Sequence, residues 1–274
     1  MHCMEVLGGN QGIEQSYQAV GLDIWVYSRP HGEAVAGGDV HYLSSCASGR
    51  VTRMLLADVS GHGEPVSELA AGLRDLMRRN INYIKQNRFV RAMNQQFTAS
   101  AERGCFATAI VSTFYAPTRT LTLCSAGHHA PLIFLGSASR WSELEHEAEK
   151  SLLVKDIPLG IMGDVSYSQQ AMRLQADDMV LCYSDAIIES TDEHGRQLGQ
   201  AGILKLVREL DVQAPEQLIP ALVERLTSLA GNNLRQDDAT LLLYRVTGGG
   251  PSLKNNLLAP FRMFGTAVDR TSLD

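Results

Sequence analysis

The sequence predicts an α+β fold in which antiparallel sheets pack on each other and helices cover them. The first observation is the order of the elements: strands, a helix pair, strands, a second helix pair and a final strand. The second is that strands and helices do not alternate regularly, as they would in a doubly wound parallel sheet. Segregated strands and helices are typical of antiparallel sheets with helices on the outside.

Turn-rich pieces separate three apolar, β-rich runs near the start of the chain, which predict strands. These runs are 21–28, 40–46 and 51–57. After Gly63 the spacing of the apolar residues changes to the helical period, and Pro65 suits a first helical turn. The two predicted helices cover 66–81 and 88–102, and Gly104 ends the second.

The second half of the chain holds further strands, a second helix pair and a final strand. Its predicted strands are 106–115, 120–126, 131–135, 172–175, 179–184 and 239–246, and its predicted helices are 203–210 and 215–229. The polar stretch 137–155 predicts a surface loop. We therefore expect an N-terminal segment over 1–20, a folded domain over 21–246 and a flexible C-terminal tail over 247–274.

Composition restricts the class of protein. The chain has 274 residues, of which 45% are hydrophobic and 20% charged, as in an ordinary globular protein. The net charge of -6 argues against a nucleic-acid-binding surface, and no apolar stretch approaches the roughly 20 residues of a membrane helix. Five dispersed cysteines and the lack of a signal-peptide pattern favour a cytoplasmic protein with reduced thiols.

Aspartates follow the predicted strands directly. Asp58 comes after the run 51–57, and Asp185 comes after the run 179–184. Carboxylates at strand ends can converge without entering the core, but they repel one another and raise each other's pKa values. A hard divalent cation such as Mg2+ or Mn2+ would hold them together.

Two further aspartates extend this pattern. Asp39 and Asp58 are 58 − 39 = 19 positions apart, which fits two neighbouring strands joined by a turn. Asp185 and Asp237 reach the same edge only if the second half of the chain folds back on the first, and the residues alone leave that open.

Six short motifs, spread from Gly37 to Thr240, carry a family resemblance. They are Gly37-Gly38-Asp39, Asp58-Val59-Ser60-Gly61-His62-Gly63, Ala126-Gly127-His128-His129-Ala130-Pro131, Pro158-Leu159-Gly160, Tyr183-Ser184-Asp185 and Asp237-Asp238-Ala239-Thr240. In this order the motifs resemble those of the SpoIIE-type branch of the protein phosphatase 2C (PPM) family. The resemblance implies a four-layer αββα sandwich and metal-dependent dephosphorylation of phosphoserine or phosphothreonine on a protein.

The resemblance also implies the site residues. Two divalent metal ions, Mn2+ or Mg2+, would be held by Asp39, Asp58, the backbone carbonyl of Val59, Asp185 and Asp237, and a metal-bound water would attack phosphorus. These four aspartates are the candidate catalytic residues. Asp238 is expected to be a loop residue beside them rather than a ligand.

The histidines of the motifs leave alternatives open. His62 could orient water or give a proton to the leaving serine oxygen, or it could be a helix-start residue that hydrogen-bonds the loop, which we favour. His128 and His129 resemble a zinc pair, but adjacent strand residues point to opposite faces, so they are not expected to bind one metal together. His128 is instead expected to be a hydrogen-bonding residue in the turn.

Partners and rival functions follow from the same resemblance. The expected substrate is a phosphorylated protein, and the resemblance implies STAS-domain anti-sigma-factor antagonists as its class. Activity would be controlled by a separate sensor protein or by the N-terminal segment. Ala186, where the family usually has glycine, leaves open an inactive regulatory interaction module with the same fold. A metallohydrolase for a small phosphorylated metabolite is the second rival.

Overall fold

The strands and helices are defined in a computed structural model that describes residues 3–46, 48–61, 64–100, 104–144 and 155–249. The strands are β1 (Cys3–Gln11), β2 (Ile13–Ala19), β3 (Leu22–Arg29), β4 (Ala36–Cys46), β5 (Val51–Val59), β6 (Ala107–Tyr115), β7 (Thr120–Ala126), β8 (Leu132–Leu135), β9 (Arg140–Glu143), β10 (Gln170–Arg173), β11 (Met179–Tyr183) and β12 (Ala239–Val246). The helices are α1 (Glu64–Asn80), α2 (Gln86–Ser100), α3 (Asp185–Ile188), α4 (Gly199–Arg208) and α5 (Pro215–Leu229).

Two six-stranded sheets form the middle of the molecule. The first sheet has the order β1-β4-β5-β6-β7-β10, and the second has the order β2-β3-β12-β11-β8-β9. Neighbouring strands in both sheets run antiparallel. The helices α1 and α2 pack on the outer face of the first sheet, and α4 and α5 pack on the second. The predicted four-layer αββα sandwich is therefore confirmed.

Strand alternation separates the apolar layers. In β3, Ile24 and Val26 point into the layer between the two sheets, whereas Trp25 and Tyr27 pack on the helices of the second sheet. Successive strand residues face opposite sides of a sheet, so a strand in the middle of a sandwich needs apolar residues at both kinds of position. The continuous apolar run of β12 meets the same requirement.

The segment before Gly21 forms a strand in each sheet. β1 pairs with β4 at the edge of the first sheet, and β2 pairs with β3 at the edge of the second. The first strand thus begins at Cys3 rather than at Gly21. The sequence concealed these strands because edge strands need no continuous apolar run, and β2 carries exposed polar residues over much of its length.

The expected surface loop 137–155 contains the short strand β9, which corrects that expectation. β9 pairs with β8, and the Trp141 side chain within it is only 2% exposed, with its ring centroid 5.5 Å from that of Phe134. A single tryptophan among polar residues gives no periodic signal, so only its packing reveals the strand. Residues 145–154 and 250–274, including most of the expected tail, lie outside the described residues.

Candidate metal centre

Asp39 and Asp58 lie directly opposite each other on neighbouring strands. β4 pairs with β5 in the register that places Asp39 against Asp58. The Asp39 side chain is only 2% exposed, and Asp58 is partly buried. Both aspartates lie inside their strands near the end of the pair, so the sheet itself brings two carboxylates together.

Asp185 and Asp237 approach the same place from the second sheet. Asp185 follows β11 and opens the short helix α3, whereas Asp237 lies just before β12. β11 and β12 are antiparallel neighbours, so the end of one lies beside the start of the other. The backbone N–H of Ser184 donates to the Thr240 carbonyl at 3.0 Å, which fixes this junction. The Asp238 carboxylate accepts a hydrogen bond from the Gly38 N–H, so the second half of the chain does fold back on the first.

Burial, together with repulsion between the carboxylates, raises the pKa values of Asp39, Asp58 and Asp237. Burial raises the pKa of Asp39 well above its usual range, and the Asp58 carboxylate adds to the shift. Burial also raises the pKa of Asp58, to about 7, with repulsion from Asp185 and Asp237 as the next causes. The pKa of Asp237 is raised mainly by burial. The metal-free cluster is thus electrostatically strained at neutral pH.

The Asp238 side chain stabilises the loop that precedes Asp39 through hydrogen bonds. Its carboxylate accepts hydrogen bonds from the backbone N–H groups of His31, at 2.6 Å, and Gly38, at 2.5 Å. A Cβ atom on Gly37 would lie 2.1 Å from Asp238 Oδ1, so only glycine fits there. Asp238 is a loop-holding residue, in agreement with the sequence interpretation.

The two adjacent histidines have different surroundings. The His128 ring contacts the Thr108 hydroxyl at 2.9 Å and the Tyr183 carbonyl at 3.1 Å, and burial lowers its pKa to about 4. His129 Nε2 lies 3.1 Å from Asp185 Oδ1. The neighbouring His129 ring lowers the pKa of Asp185, so Asp185 differs from the other aspartates in having a histidine as its ion-pair partner.

His129 is the site residue that the sequence interpretation missed. The alternation argument separated the two rings but did not say which one would face the aspartates. The Gly127 backbone has a φ of +67°, so the chain leaves the strand before His128 and alternation no longer applies. A cavity of about 400 Å³ also lies beside His129, lined by apolar residues of β6 and β7 and by Asp156.

The remaining predicted residues are placed as follows. Val59 is the last residue of β5. A Cβ atom on Gly38 would lie 2.8 Å from the Val59 carbonyl oxygen, so the absence of a side chain on Gly38 keeps that oxygen accessible. His62 lies outside the described residues. The Gly160 N–H donates to the Asn94 side chain, on α2, at 3.0 Å.

The donor set can be tested for its fit to a divalent cation. Among the described residues, no three His, Cys, Asp or Glu side chains lie close enough together to form a metal-binding cluster as they stand. However, neither carboxylate oxygen of Asp39 meets a hydrogen-bond donor at normal geometry, although both are buried. Oxygen-only donors with unmet acceptor capacity suit Mg2+ or Mn2+ rather than zinc, so the residues fit such an ion.

Comparison with known sequences gives the family. The sequence model for stage II sporulation protein E (SpoIIE) matches residues 48–247, which is well over half of the chain. The chain belongs to the SpoIIE family. It is 24% identical to the phosphoserine phosphatase RsbU of Bacillus subtilis over 232 residues, covering 83% of this chain. It spans only 64% of the length of RsbU.

Several solved structures share the fold of this chain. The RsbU and RsbW domains of Rv1364c from Mycobacterium tuberculosis align with a TM-score of 0.69 at 22% identity, covering 94% of this chain and 72% of that one. The PP2C phosphatase domain of SpoIIE from Bacillus subtilis, with a fragment of its regulatory domain, also has a TM-score of 0.69, at 15% identity, covering 86% of this chain and 64% of that one. RsbX in complex with magnesium has a TM-score of 0.60 at 16% identity, covering 86% of this chain and all of RsbX.

Within the described residues, no helix is both long and apolar enough to cross a membrane.

Proposed function

We propose that this SpoIIE-family chain is a metal-dependent protein serine/threonine phosphatase. The observation that carries the proposal is the approach of Asp39, Asp58, Asp185 and Asp237 to one edge of the sandwich, with the buried Asp39 oxygens unsatisfied. A cluster of that kind is unfavourable without a cation and favourable with one. The phosphoserine phosphatase RsbU and the PP2C-type structures among its relatives support the same reaction.

Two divalent metal ions, Mn2+ or Mg2+, would be held by Asp39, Asp58, the Val59 carbonyl, Asp185 and Asp237. Ions bound there would supply an activated water molecule and positive charge to neutralise the phosphoryl oxygens. The magnesium in the RsbX structure, which has the same fold, supports the choice of a hard cation.

The chain's own residues prepare this site in distinct ways. His129 Nε2 lies 3.1 Å from Asp185 Oδ1, and this pairing orients the Asp185 carboxylate. Gly37 and Gly38 keep side chains out of the space between Asp238 and the Val59 carbonyl. The two roles of His62, proton donor or helix-start residue, both stay part of the proposal.

Ala186 does not argue for an inactive module. It lies within α3, and its backbone is not among those with a positive φ, so the family's glycine is not required for backbone conformation at this position. The methyl group is buried against the core of the second sheet, where it packs rather than projecting into the aspartate cluster. The interaction-module alternative therefore loses the sequence feature on which it rested.

The proposed substrate is a phosphorylated regulatory protein, with a STAS-domain anti-sigma-factor antagonist as the class to test first. RsbU and RsbW domains occur together in the Mycobacterium tuberculosis relative. A solved structure described as part of the bacterial stressosome system has a similar fold. These neighbours favour a role in which a separate regulatory protein controls the phosphatase.

The test is hydrolysis of p-nitrophenyl phosphate and of a phosphoserine-bearing STAS protein, with Mn2+, with Mg2+ and with chelator. The wild type is compared with Asp58→Asn, Asp185→Asn and the matched control Asp164→Asn, whose carboxylate is exposed and pairs with Arg91. We expect metal-dependent turnover that both site variants lose and the control keeps. Turnover that persists in chelator, or in both site variants, would overturn the proposal. A preference for small phosphoesters over the phosphoprotein would instead favour the metabolite hydrolase.

A further inference from the structure

We infer that Asn10, on the edge strand β1, is a positioning residue that holds the Gly37-Gly38-Asp39 segment in place for metal binding. This inference rests on the proposed function. It concerns a residue outside the six motifs and outside the 48–247 family match. Asn10 belongs to the Glu5-Val6-Leu7-Gly8-Gly9-Asn10 segment, whose pattern the metal chemistry does not explain.

The pairing of β1 with β4 is interrupted at Asn10. Gly9 pairs with His41 and Gln11 pairs with Ala36, so one β1 residue faces four β4 residues. Those four are Gly37, Gly38, Asp39 and Val40. Bulges of this kind bend a strand and re-aim its side chains, and they leave backbone groups without ladder partners. The β4 segment that carries Asp39 is therefore not paired with β1 and bends toward the aspartate cluster.

The Asn10 side chain replaces part of the lost pairing. Its Nδ2 group lies 2.9 Å from the Gly37 carbonyl oxygen and donates to it. The same amide lies 3.0 Å from the Ser67 carbonyl oxygen and 3.1 Å from the Ser67 hydroxyl, in the first turns of α1. One partly buried amide therefore connects β1, the bulge and α1.

Asp238 secures the bulge from the opposite side. It accepts the Gly38 N–H, while Asn10 donates to the Gly37 carbonyl. The peptide group between Gly37 and Gly38 is thus hydrogen-bonded at both its carbonyl oxygen and its N–H. Glycine has the least intrinsic backbone restriction of any residue, so two consecutive glycines before Asp39 need such external contacts to define one conformation.

A second contact keeps β1 on α1 but does not touch the bulge. The Glu5 carboxylate pairs with Arg74 and Arg78, near the far end of α1. Glu5 therefore offers a matched control: its loss should loosen β1 from α1 while leaving the Gly37 carbonyl bonded to Asn10.

The experiment measures Mn2+ affinity by titration calorimetry on the full chain for the wild type, Asn10→Ala, Glu5→Gln and Gln11→Ala, with thermal unfolding of each metal-free protein. Gln11 is the exposed neighbour of Asn10. Removing partners that orient ligating carboxylates typically weakens metal affinity about 10- to 100-fold, and we expect about a 10-fold loss for Asn10→Ala. Glu5→Gln should lower the unfolding temperature but keep wild-type Mn2+ affinity, and Gln11→Ala should change neither.

A kinetic measurement separates positioning from general loss of structure. Asn10 touches no reacting group in the proposed reaction, so saturating Mn2+ should restore turnover of Asn10→Ala to within about twofold of the wild type. Should Asn10→Ala not fold, Asn10→Leu replaces it, since leucine has a similar size but no donor, and the same loss of Mn2+ affinity is expected.

Wild-type Mn2+ affinity in the Asn10 variant would overturn the inference alone, as would an equal affinity loss in Glu5→Gln. A wild-type protein that neither binds Mn2+ nor turns over substrate would overturn the proposed function, and this inference with it.

Discussion

Replacing Asp58 by asparagine should stabilise the metal-free protein while abolishing its proposed activity. The pKa of Asp58 is about 7 in the folded protein, against an ordinary value of 3.8, because of burial and the neighbouring carboxylates. The folded state therefore holds the Asp58 proton more tightly than the unfolded state does. Stability is lost as pH rises from about 4 to 7, because ionisation is more costly in the folded state than in the unfolded chain.

The magnitude follows from that difference in pKa. Each pKa unit corresponds to about 1.4 kcal/mol, so ionised Asp58 at pH 8 lowers the free energy of unfolding by about 4 kcal/mol. This is an upper value, and we expect Asp58→Asn to gain about 2 to 4 kcal/mol at pH 8. At pH 4 the expected gain is below about 1 kcal/mol, since Asp58 is then protonated in the folded wild type.

The assay is urea unfolding in chelator at pH 4, 6 and 8, with Asp164→Asn as the control. The control should change the free energy of unfolding by no more than about 0.5 kcal/mol, because exposed ion pairs contribute little. In Mn2+ at about 1,000 times its Kd the order should reverse, since a ligand at that excess stabilises the wild type by about 4.1 kcal/mol. A gain that is absent at pH 8, or that is equal at all three pH values, would refute the electrostatic reasoning.

Three other substitutions test single contacts. His129→Ala removes the partner of Asp185 and should weaken Mn2+ affinity about tenfold by calorimetry; unchanged affinity would deny His129 an orienting role. Arg53→Met deletes a buried guanidinium that donates to two carbonyls between α1 and α2. It should lower the free energy of unfolding in urea by about 3 kcal/mol, and a loss under about 1 kcal/mol would contradict this. Gly127→Ala places a Cβ atom 2.5 Å from Pro158 Cγ at a φ of +67° and should cost about 2 kcal/mol by the same measurement; no loss would show that the turn relaxes freely.

The sequence was most informative where local pattern and long-range structure agree. The spacing between Asp39 and Asp58 predicted neighbouring strands, and the structure pairs these two residues directly. The five residues before Ser184 and the stretch 241–244 after Asp237 are apolar because both strands lie in the middle of the second sheet. Central strands are buried on both faces, so their composition alone identifies them.

Other features depend on contacts between distant residues and give no local signal. The edge strands β1 and β2 are recognised only by their partners, β4 and β3. The approach of His129 to Asp185 depends on how the turn at Gly127 leaves its strand. That metal ions bind to the four aspartates remains a prediction, which the experiments above are designed to test.

The distribution of the first four strands over both sheets affects how the chain can be shortened. A fragment that begins where the family match begins, at residue 48, lacks β1 to β4 and with them Asp39. It also uncovers the hydrogen-bonding edges of β5 and β12, which are apolar strands from the centres of the two sheets. Unpaired apolar edges of this kind pair with other chains, so such a fragment should aggregate rather than behave as a minimal catalytic unit.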